Sequence, residues 1–441
     1  MRQAKNQSKP QLVQAMIDVF KQPDIRSKLL FTFMILVIFR IIAHISMPGI
    51  DQGALDTVFE DNPYMPIINL ISGGSLQRMS VVALGVYPYI TATIIIQVLS
   101  PVIPRLQQLS REGEAGRAKM NQYTHWLTVP LAMVSAYGQL TILAKANTSA
   151  IAGVELTGNT LPLTVTTVSM IFAMTAGTMF LVWLGERISE RGIGNGISMI
   201  IFANIVASIY PTFQRFTTLG DYSGLAWFIL FAVIIFFGVV IFTEAQRRVP
   251  VQYSKSVFRG GRMYRQAGAS HIPMRVNSAG MIPLIFSMAF LTLPATIASY
   301  FGTNRVAEWI TRWLGPAESV YWIAFFLLVV FFSFFYTFTV FQQQNLSESL
   351  QKQGGFIPGI RPGKPTNKYL MGVIFRITWG GALFLGLIAV MPYIAYLISG
   401  NQNMTVTISA TSMLILTGVT LDTMRQLESQ LVMRRYDGFI K

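Results

Sequence analysis

The sequence predicts an all-α polytopic membrane protein with ten transmembrane helices. Of its 441 residues, 52% are hydrophobic and only 12% are charged, and the mean hydropathy is +0.49. A soluble domain carries about 25% charged residues, so the charged fraction here is about half of the ordinary value. Apolar runs of about 20 residues, the length that crosses a bilayer as a helix, recur along the whole chain.

The ten predicted spans are apolar runs separated by polar or basic segments. They cover residues 29–47, 81–100, 121–143, 162–183, 194–211, 225–243, 278–299, 320–341, 371–397 and 404–422. Ahead of the first span, residues 10–22 place their apolar side chains on one helical face, which is typical of an amphipathic helix at the membrane surface. Residues 1–28 therefore form a predicted N-terminal segment, and residues 423–441 a C-terminal tail.

Ten spans divide into five plus five, and a repeat with an odd number of spans has the opposite orientation in its second copy. We therefore predict two inverted five-helix halves that form a clamshell. The first half covers residues 29–211 and the second covers residues 225–422, with an external hinge loop at residues 212–224 between them. The two halves share no clear sequence identity, so this prediction depends on the span count.

Basic residues predict the orientation. Of the 34 Lys and Arg residues, 27 lie in the two termini and in the loops 101–120, 184–193, 244–277 and 342–370. Basic loops remain on the cytoplasmic side, so both termini are predicted to be cytoplasmic, as an even number of spans requires. The loops 244–277 and 342–370 are longer and more basic than orientation alone needs. Either they are simply solvated or, as we favour, they are docking surfaces for acidic partners.

Groups that could support catalysis or ion coupling are sparse. The histidines His44, His125 and His271 lie far apart, none of them has a second metal ligand at helical spacing, and cysteine is absent. No Asp or Glu falls in the middle of a span, whereas proton-coupled transporters bury such groups along their pathway. The sequence therefore predicts no enzyme, no cofactor and no metal site. A channel and an inverted-repeat secondary transporter for a small solute both remain compatible with these observations.

Five long motifs resemble the SecY family of protein-conducting channels. They are PIINLISGGSLQRMSVVALGVYPYITATIIIQVLSP (66–101), LSREGEAGRAKMNQYT (109–124), GTMFLVWLGERISERGIGNGISMIIFANIVA (177–207), RVNSAGMIPLIFS (275–287) and GGFIPGIRPGKPTNKYL (354–370). The resemblance extends from about residue 12 to the C-terminus and is closer to bacterial members of the family. It implies a channel that passes unfolded secretory polypeptides across the bacterial plasma membrane and releases membrane-protein segments laterally into lipid.

The resemblance also implies where the parts of the channel lie. A re-entrant plug helix would occupy residues 64–78, including Gly73, Gly74, Ser75, Leu76 and Arg78. A ring of aliphatic side chains would constrict the pore at mid-membrane, formed by Val86, Ile90, Ile201, Ile285 and Ile415. A lateral gate toward lipid would include Thr91, Thr93 and Gln97, whose interhelical hydrogen bonds are weak enough to exchange. Val86 and Ile90 are four residues apart, so they share one face of a helix.

The same resemblance implies partners for the two long basic loops. They would form the surface for the motor ATPase SecA and for the ribosome, with candidate contacts at Arg247, Arg248, Lys255, Arg259, Arg262 and Arg361. Further implied partners are the small membrane subunits SecE and SecG, signal peptides, nascent polypeptides and membrane lipids. No nucleotide-binding motif is visible in the sequence. The energy for transport would therefore come from the motor ATPase or the ribosome.

Overall fold

The computed structural model describes residues 22–53, 55, 75, 78–146, 161–220, 222–259, 262–277, 280–300, 318–344, 346–399 and 410–437. The helices are α1 (Pro23–Ala43), α2 (Tyr87–Leu99), α3 (Pro104–Arg111), α4 (Glu114–Ala146), α5 (Val165–Arg191), α6 (Gly196–Leu219), α7 (Tyr222–Glu244), α8 (Ile282–Tyr300), α9 (Ser319–Gln344), α10 (Leu346–Lys352), α11 (Lys364–Ser399) and α12 (Ala410–Asp437). The strands are β1 (Gln246–Arg259), β2 (Arg262–Arg275) and β3 (Gly355–Phe356).

Each of the ten predicted spans overlaps one long helix. Among the described residues, six helices are long and apolar enough to cross a membrane by length and composition: α4, α5, α6, α7, α9 and α11. The helices α2 and α3 pass the same test only as a pair, with a bend of 103° between them. Several long apolar helices make this a multi-pass membrane protein.

Two predicted segment boundaries are wrong because the helices continue further than the apolar runs. The helix α6 extends to Leu219 and ends at Gly220, whose φ of +67° suits glycine. The predicted hinge loop at 212–224 is therefore helical up to residue 219 and again from residue 222. Likewise α12 continues to Asp437, so most of the predicted C-terminal tail is helical. The helix α6 continues past Pro211, and polar residues extend both helices beyond the apolar runs.

The all-α prediction needs one correction, because the loop 244–277 folds as a β-hairpin. Strands β1 and β2 pair antiparallel from Gln246↔Arg275 to Arg259↔Arg262, and β3 pairs with the other edge of β1. The sequence carried a usable signal, since the dipeptide Gly260–Gly261, a common two-residue hairpin loop, stands between β-branched and aromatic residues such as Val257, Phe258 and Tyr264. The prediction for this segment was based on its charge alone.

The described chain separates into two compact units. Unit 1 comprises residues 1–93, 124–222 and 415–441, and unit 2 comprises residues 94–123 and 223–414. Unit 1 contains apolar clusters around Leu140 and Met174, around Phe39 and Leu181, and around Ile193 and Leu427. Unit 2 contains a cluster around Leu370 that joins the β-sheet to α11.

Candidate functional site

The segment that precedes α2 is the least regular part of unit 1. The predicted span began at residue 81, but residues 81–86 form turns, and α2 itself has only 13 residues. Two residues here have positive φ, Met79 at 40° and Gly85 at 58°. The chain is nevertheless buried, with Ser80 fully inaccessible and Val82 1% exposed. Protein burial is the condition under which non-helical backbone is tolerated at membrane depth.

A close approach to α5 explains why this segment is not helical. A Cβ atom added at Gly177 of α5 would overlap the carbonyl oxygen of Val81, so the two backbones are in direct contact. The backbone amide of Val81 donates to the carbonyl of Ile45, and that of Met47 donates to the carbonyl of Met79. These partners come from distant parts of the chain, which is why the length of the apolar run did not reveal the turns.

Three of the five predicted ring residues lie together in unit 1. Val86 is 4% exposed and belongs to the cluster around Leu181, and Ile90 and Ile201 pack against that cluster. The amide of Ile90 donates to the carbonyl of Val86 over 3.1 Å, so the two residues are one helical turn apart, as predicted. The residues of this cluster come from α1, α2, α5, α6 and the turns before α2.

The other two predicted ring residues lie in different units. Ile285 is half-buried in α8 of unit 2, and Ile415 is 7% exposed in α12 of unit 1. A complete ring of five residues therefore stays a prediction.

The turn before α6 fixes the helix that carries Ile201. The hydroxyl of Thr32 accepts from the amide of Ile193 over 3.1 Å, and the side-chain oxygen of Gln426 accepts from the amide of Gly194 over 2.9 Å. Asn195 caps α6 by accepting from the amide of Ser198. Contacts from α1 and α12 thus fix the turn that precedes α6, and Asn195 satisfies one of the backbone donors that the start of a helix leaves unpaired. The sequence contained no signal for these partners, because Thr32 and Gln426 lie 161 and 232 residues away in the chain.

The predicted gate residues all lie on α2, but their recorded hydrogen bonds are intrahelical. The hydroxyl of Thr91 donates to the carbonyl of Tyr87 over 3.1 Å, and that of Thr93 donates to the carbonyl of Tyr89 over 2.9 Å. The expectation of interhelical hydrogen bonds is wrong for these two hydroxyls, because a threonine in a helix readily bonds the carbonyl four residues earlier. The side-chain oxygen of Gln97 is buried without a partner among the described residues.

The predicted plug lies mostly outside the described residues, and so do Gly73, Gly74 and Leu76. Ser75 is 2% exposed, and its carbonyl accepts from the amide of Ser80. Arg78 is exposed.

A contact between a histidine and a glutamate, which the sequence did not indicate, joins α4 to α5. The imidazole of His125 lies 2.9 Å from the carboxylate of Glu186, and the ring of Tyr89 lies 5.9 Å from that of His125. A lone histidine and a lone glutamate far apart in sequence offered no signal for this pairing. The described residues include no group of three or more His, Cys, Asp or Glu side chains suited to a metal ion.

The two long basic loops come together in unit 2. Tyr253 of β1 pairs with Gly355 of β3, so the second loop adds a strand to the hairpin of the first. Arg247, Arg248 and Arg361 are exposed. Lys255, Arg259 and Arg262 lie on the strands, and their side chains are outside the described part of the structure.

The turn that carries Arg361 has a defined backbone. Gly359 and Gly363 have φ of 82° and 97°, and the amide of Ile360 donates to the carbonyl of Ile357. The hydroxyl of Thr366 donates to the carbonyl of Arg361 itself over 2.8 Å. The guanidinium therefore projects from a fixed turn into solvent, which suits it to bind an oriented acidic group.

Comparisons with known proteins agree with the sequence resemblance. A model of the SecY family matches residues 80–424. "Protein translocase subunit SecY" from Streptomyces lividans is 42% identical over 445 residues, covering 98% of this chain and 100% of the relative. The protein of the same name from Thermotoga maritima is 42% identical over 439 residues, covering 97% and 98%. That from Bacillus subtilis is 38% identical over 433 residues, covering 95% and 97%.

Solved structures with the same fold are more distant in sequence. One, described as "The structure of a protein conducting channel", matches with a TM-score of 0.63 at 18% identity, covering 92% of each chain. Another, described as "Sec61 in the Canine ribosome-channel complex from the endoplasmic reticulum", matches with a TM-score of 0.60 at the same identity and coverage. At this identity the structural likeness establishes the fold, and the family model with the near-full-length relatives establishes that this chain belongs to the SecY family.

Proposed function

We propose that the protein conducts unfolded secretory polypeptides across the bacterial plasma membrane and releases membrane-protein segments laterally into lipid. Protein translocation through a channel is the function of the family to which the chain belongs. Our proposal adds three points to this family function. The polypeptides are unfolded and secretory, membrane-protein segments leave laterally, and the membrane is the bacterial plasma membrane. The similarity to bacterial relatives supports the choice of membrane.

The observation that carries this proposal is the aliphatic cluster at Val86, Ile90 and Ile201. An apolar constriction a few ångströms wide loses its water, so a hydrated ion finds no substitute for its hydration shell there. Flexible aliphatic side chains can still surround many kinds of residue, because they impose no hydrogen-bonding pattern. Completed by Ile285 and Ile415, such a collar would hold back ions while a polypeptide passes.

The remaining parts of the channel follow from the family resemblance. We propose ten spans in two inverted halves, with cytoplasmic termini, a plug at residues 64–78 and a lateral gate that includes Thr91, Thr93 and Gln97. The intrahelical hydrogen bonds of the two threonines are compatible with a gate, since they need not break when α2 separates from a neighbouring helix. The gate would then be held by packing of apolar side chains rather than by exchanged hydrogen bonds.

We further propose that the β-sheet of unit 2 and the turn at Arg361 form one docking surface for the motor ATPase SecA and for the ribosome. Exposed arginines on both joined loops support this proposal, because they present positive charge to acidic groups and phosphates. One structural neighbour is described as a ribosome–channel complex. The small subunits SecE and SecG are proposed partners within the membrane.

An inverted-repeat transporter for a small solute is not favoured. A carrier needs a specific polar binding site, and no Asp or Glu falls in the middle of a predicted span. The family assignment points the same way.

Crosslinking tests the proposed pathway directly, since the natural chain contains no cysteine. A single cysteine is placed at Ile90, Ile201 or Ile285, and the channel is reconstituted with SecA and the small subunits. A stalled secretory polypeptide carries a photoactivatable probe that reacts with thiols. We expect this probe to form a covalent adduct with the channel cysteine at each position. Ile229→Cys is the matched control, because Ile229 is 50% exposed on α7 and should face lipid. Absence of adducts at all three ring positions during translocation would exclude this pathway.

A further inference from the structure

The junction between the predicted plug and α2 is attached to the segment that follows α1. Ser46 and Ser80 form an isolated antiparallel bridge, flanked by the two backbone hydrogen bonds Met47 to Met79 and Val81 to Ile45, of 3.0 and 3.4 Å. This arrangement is a short two-stranded pairing between parts of the chain more than 30 residues apart. It occupies the point at which the chain leaves the plug and enters the turns before α2.

Gln52 adds a side-chain contact to this pairing. Its amide nitrogen donates to the carbonyl of Arg78 and to the hydroxyl of Ser46, each over 3.1 Å. The side chain of Asp51 accepts from the amide of Gly53 over 2.9 Å, which holds the turn that presents Gln52. A single amide group therefore connects both sides of the bridge.

Apolar burial strengthens the same attachment. Met47, Leu55 and Met79 are 3%, 0% and 2% exposed, and all three belong to the cluster around Leu140. Met79 has a φ of 40°, a conformation that residues other than glycine rarely adopt and that persists only where the surroundings impose it. Hydrogen bonds on both sides of Met79 and complete burial of its side chain meet that condition.

We propose that residues 45–55 form a fixed anchor for residues 78–81, with Gln52 as its positioning residue, and that this anchor stays closed while a polypeptide is translocated. The last part rests on the proposed channel function. Any displacement of the plug then begins before Arg78, and the turns leading to Val86 keep their place.

A disulfide across the bridge tests whether the anchor moves. Ser46 and Ser80 face each other but exchange no backbone hydrogen bonds with one another. Antiparallel pairs of this kind have Cα atoms about 4.5 Å apart, which is within the range for a disulfide. The hydroxyl of Ser80 has no hydrogen-bond partner in the described part of the chain, so replacing it by a thiol removes no recorded bond. Replacing Ser46 removes the bond from Gln52 to its hydroxyl and leaves the bond from Gln52 to the carbonyl of Arg78 in place. The variant S46C/S80C, in a chain otherwise free of cysteine, should therefore crosslink readily under mild oxidation.

The expected result is near-complete crosslinking with translocation unchanged between oxidised and reduced channels. The single variants S46C and S80C, treated with the same oxidant, control for effects of oxidation. Failure to crosslink would overturn the proposed geometry. Crosslinking that stops translocation, with recovery after reduction, would overturn the claim that the anchor stays closed. Crosslinking needs no transport activity, so its outcome is independent of whether the proposed channel function is correct.

Amide hydrogen exchange tests the role of Gln52. In Gln52→Ala and in the isosteric Gln52→Glu, which cannot donate, the amides of Met47 and Val81 should exchange about fivefold faster, as expected for loss of a net hydrogen bond. Gln214→Ala is the matched control, because Gln214 is an exposed glutamine near the carboxyl end of α6. Equal exchange in all three variants and the natural protein would show that Gln52 does not position the junction.

Discussion

At the scale of single residues, glycines determine how closely the segments of unit 1 approach. A Cβ atom at Gly177 would overlap the carbonyl oxygen of Val81, and one at Gly196 would overlap the carbonyl oxygen of Gly185. Backbone atoms cannot move aside as the end of a flexible side chain can, so both contacts require glycine. The first contact holds the turns before α2, and the second holds α5 against the start of α6.

The variant Gly177→Ala should therefore lower the stability of the protein. The added methyl group forces α5 away from Val81, and we expect a loss of about 1–3 kcal/mol, typical of overpacking. Thermal unfolding of the purified protein in detergent measures the change.

Gly372→Ala is the matched control for this substitution. Gly372 is a helical glycine of α11, and a Cβ atom there would meet nothing within 4 Å. Alanine is the better helix former, so the control should unfold at the same or a slightly higher temperature. Similar destabilisation by both substitutions would mean that the contact with Val81 is not tight.

At the scale of elements, the β-sheet of unit 2 makes one surface from two loops that are far apart in sequence. The cluster around Leu370 includes Val249 and Val251 of β1 as well as Ile357 from the second loop. A Cβ atom at Gly355 would lie 2.9 Å from the ring of Tyr253, so the second loop approaches the hairpin closely. The orientation of Arg361 therefore depends on packing of the whole sheet against α11.

We predict that Arg361→Glu reduces SecA-driven translocation at least about tenfold. The substitution replaces a donor of charge-assisted hydrogen bonds, each contributing about 1.5–3 kcal/mol, by a repelling charge. Arg361 is exposed, so folding and membrane insertion of the channel should not change. The measurement is the protection of a secretory protein from protease in reconstituted vesicles.

Arg361→Lys separates charge from geometry in the same assay. Lysine keeps the positive charge but lacks the planar guanidinium, so an intermediate rate is expected if an oriented acidic group is bound. Normal transport by the glutamate variant would contradict the docking role.

At the scale of the whole molecule, the proposed pore draws residues from both units. Val86, Ile90, Ile201 and Ile415 belong to unit 1, and Ile285 belongs to unit 2. A seal of this kind would contain no binding site for a particular sequence, and it would accept any chain that can displace the ring side chains. Control over which chains enter would come from the plug and the gate.

Ile415→Asn should relax the dependence of transport on a signal sequence. The amide would bind water within an apolar constriction and so weaken the closed state relative to the open state. Export of a secretory protein with a defective signal sequence is the measurement. Thr420→Asn is the control, since Thr420 is exposed on the same helix. An unchanged requirement for the signal sequence would place Ile415 outside the ring.

Local properties of the chain were sufficient to predict the helices, the family and the position of the basic loops. The hydropathy of an apolar run depends only on its own residues, so each span could be located without knowledge of its neighbours. Long motifs such as GERISERGIGNG (185–196) carried the family resemblance. The predicted spacing of Val86 and Ile90 also needed only the helical repeat, although α2 begins one residue after Val86.

Only the tertiary structure decided the features that depend on contacts between distant segments. The turns at 81–86 exist because Gly177 admits the backbone of Val81, and the strand β3 exists because β1 offers it a free edge. The partners of Gln52 and of His125 likewise lie in other segments of the chain. Such contacts result from packing and leave no periodic pattern, so the sequence alone determined where the helices are, and the fold determined how the parts between them are held.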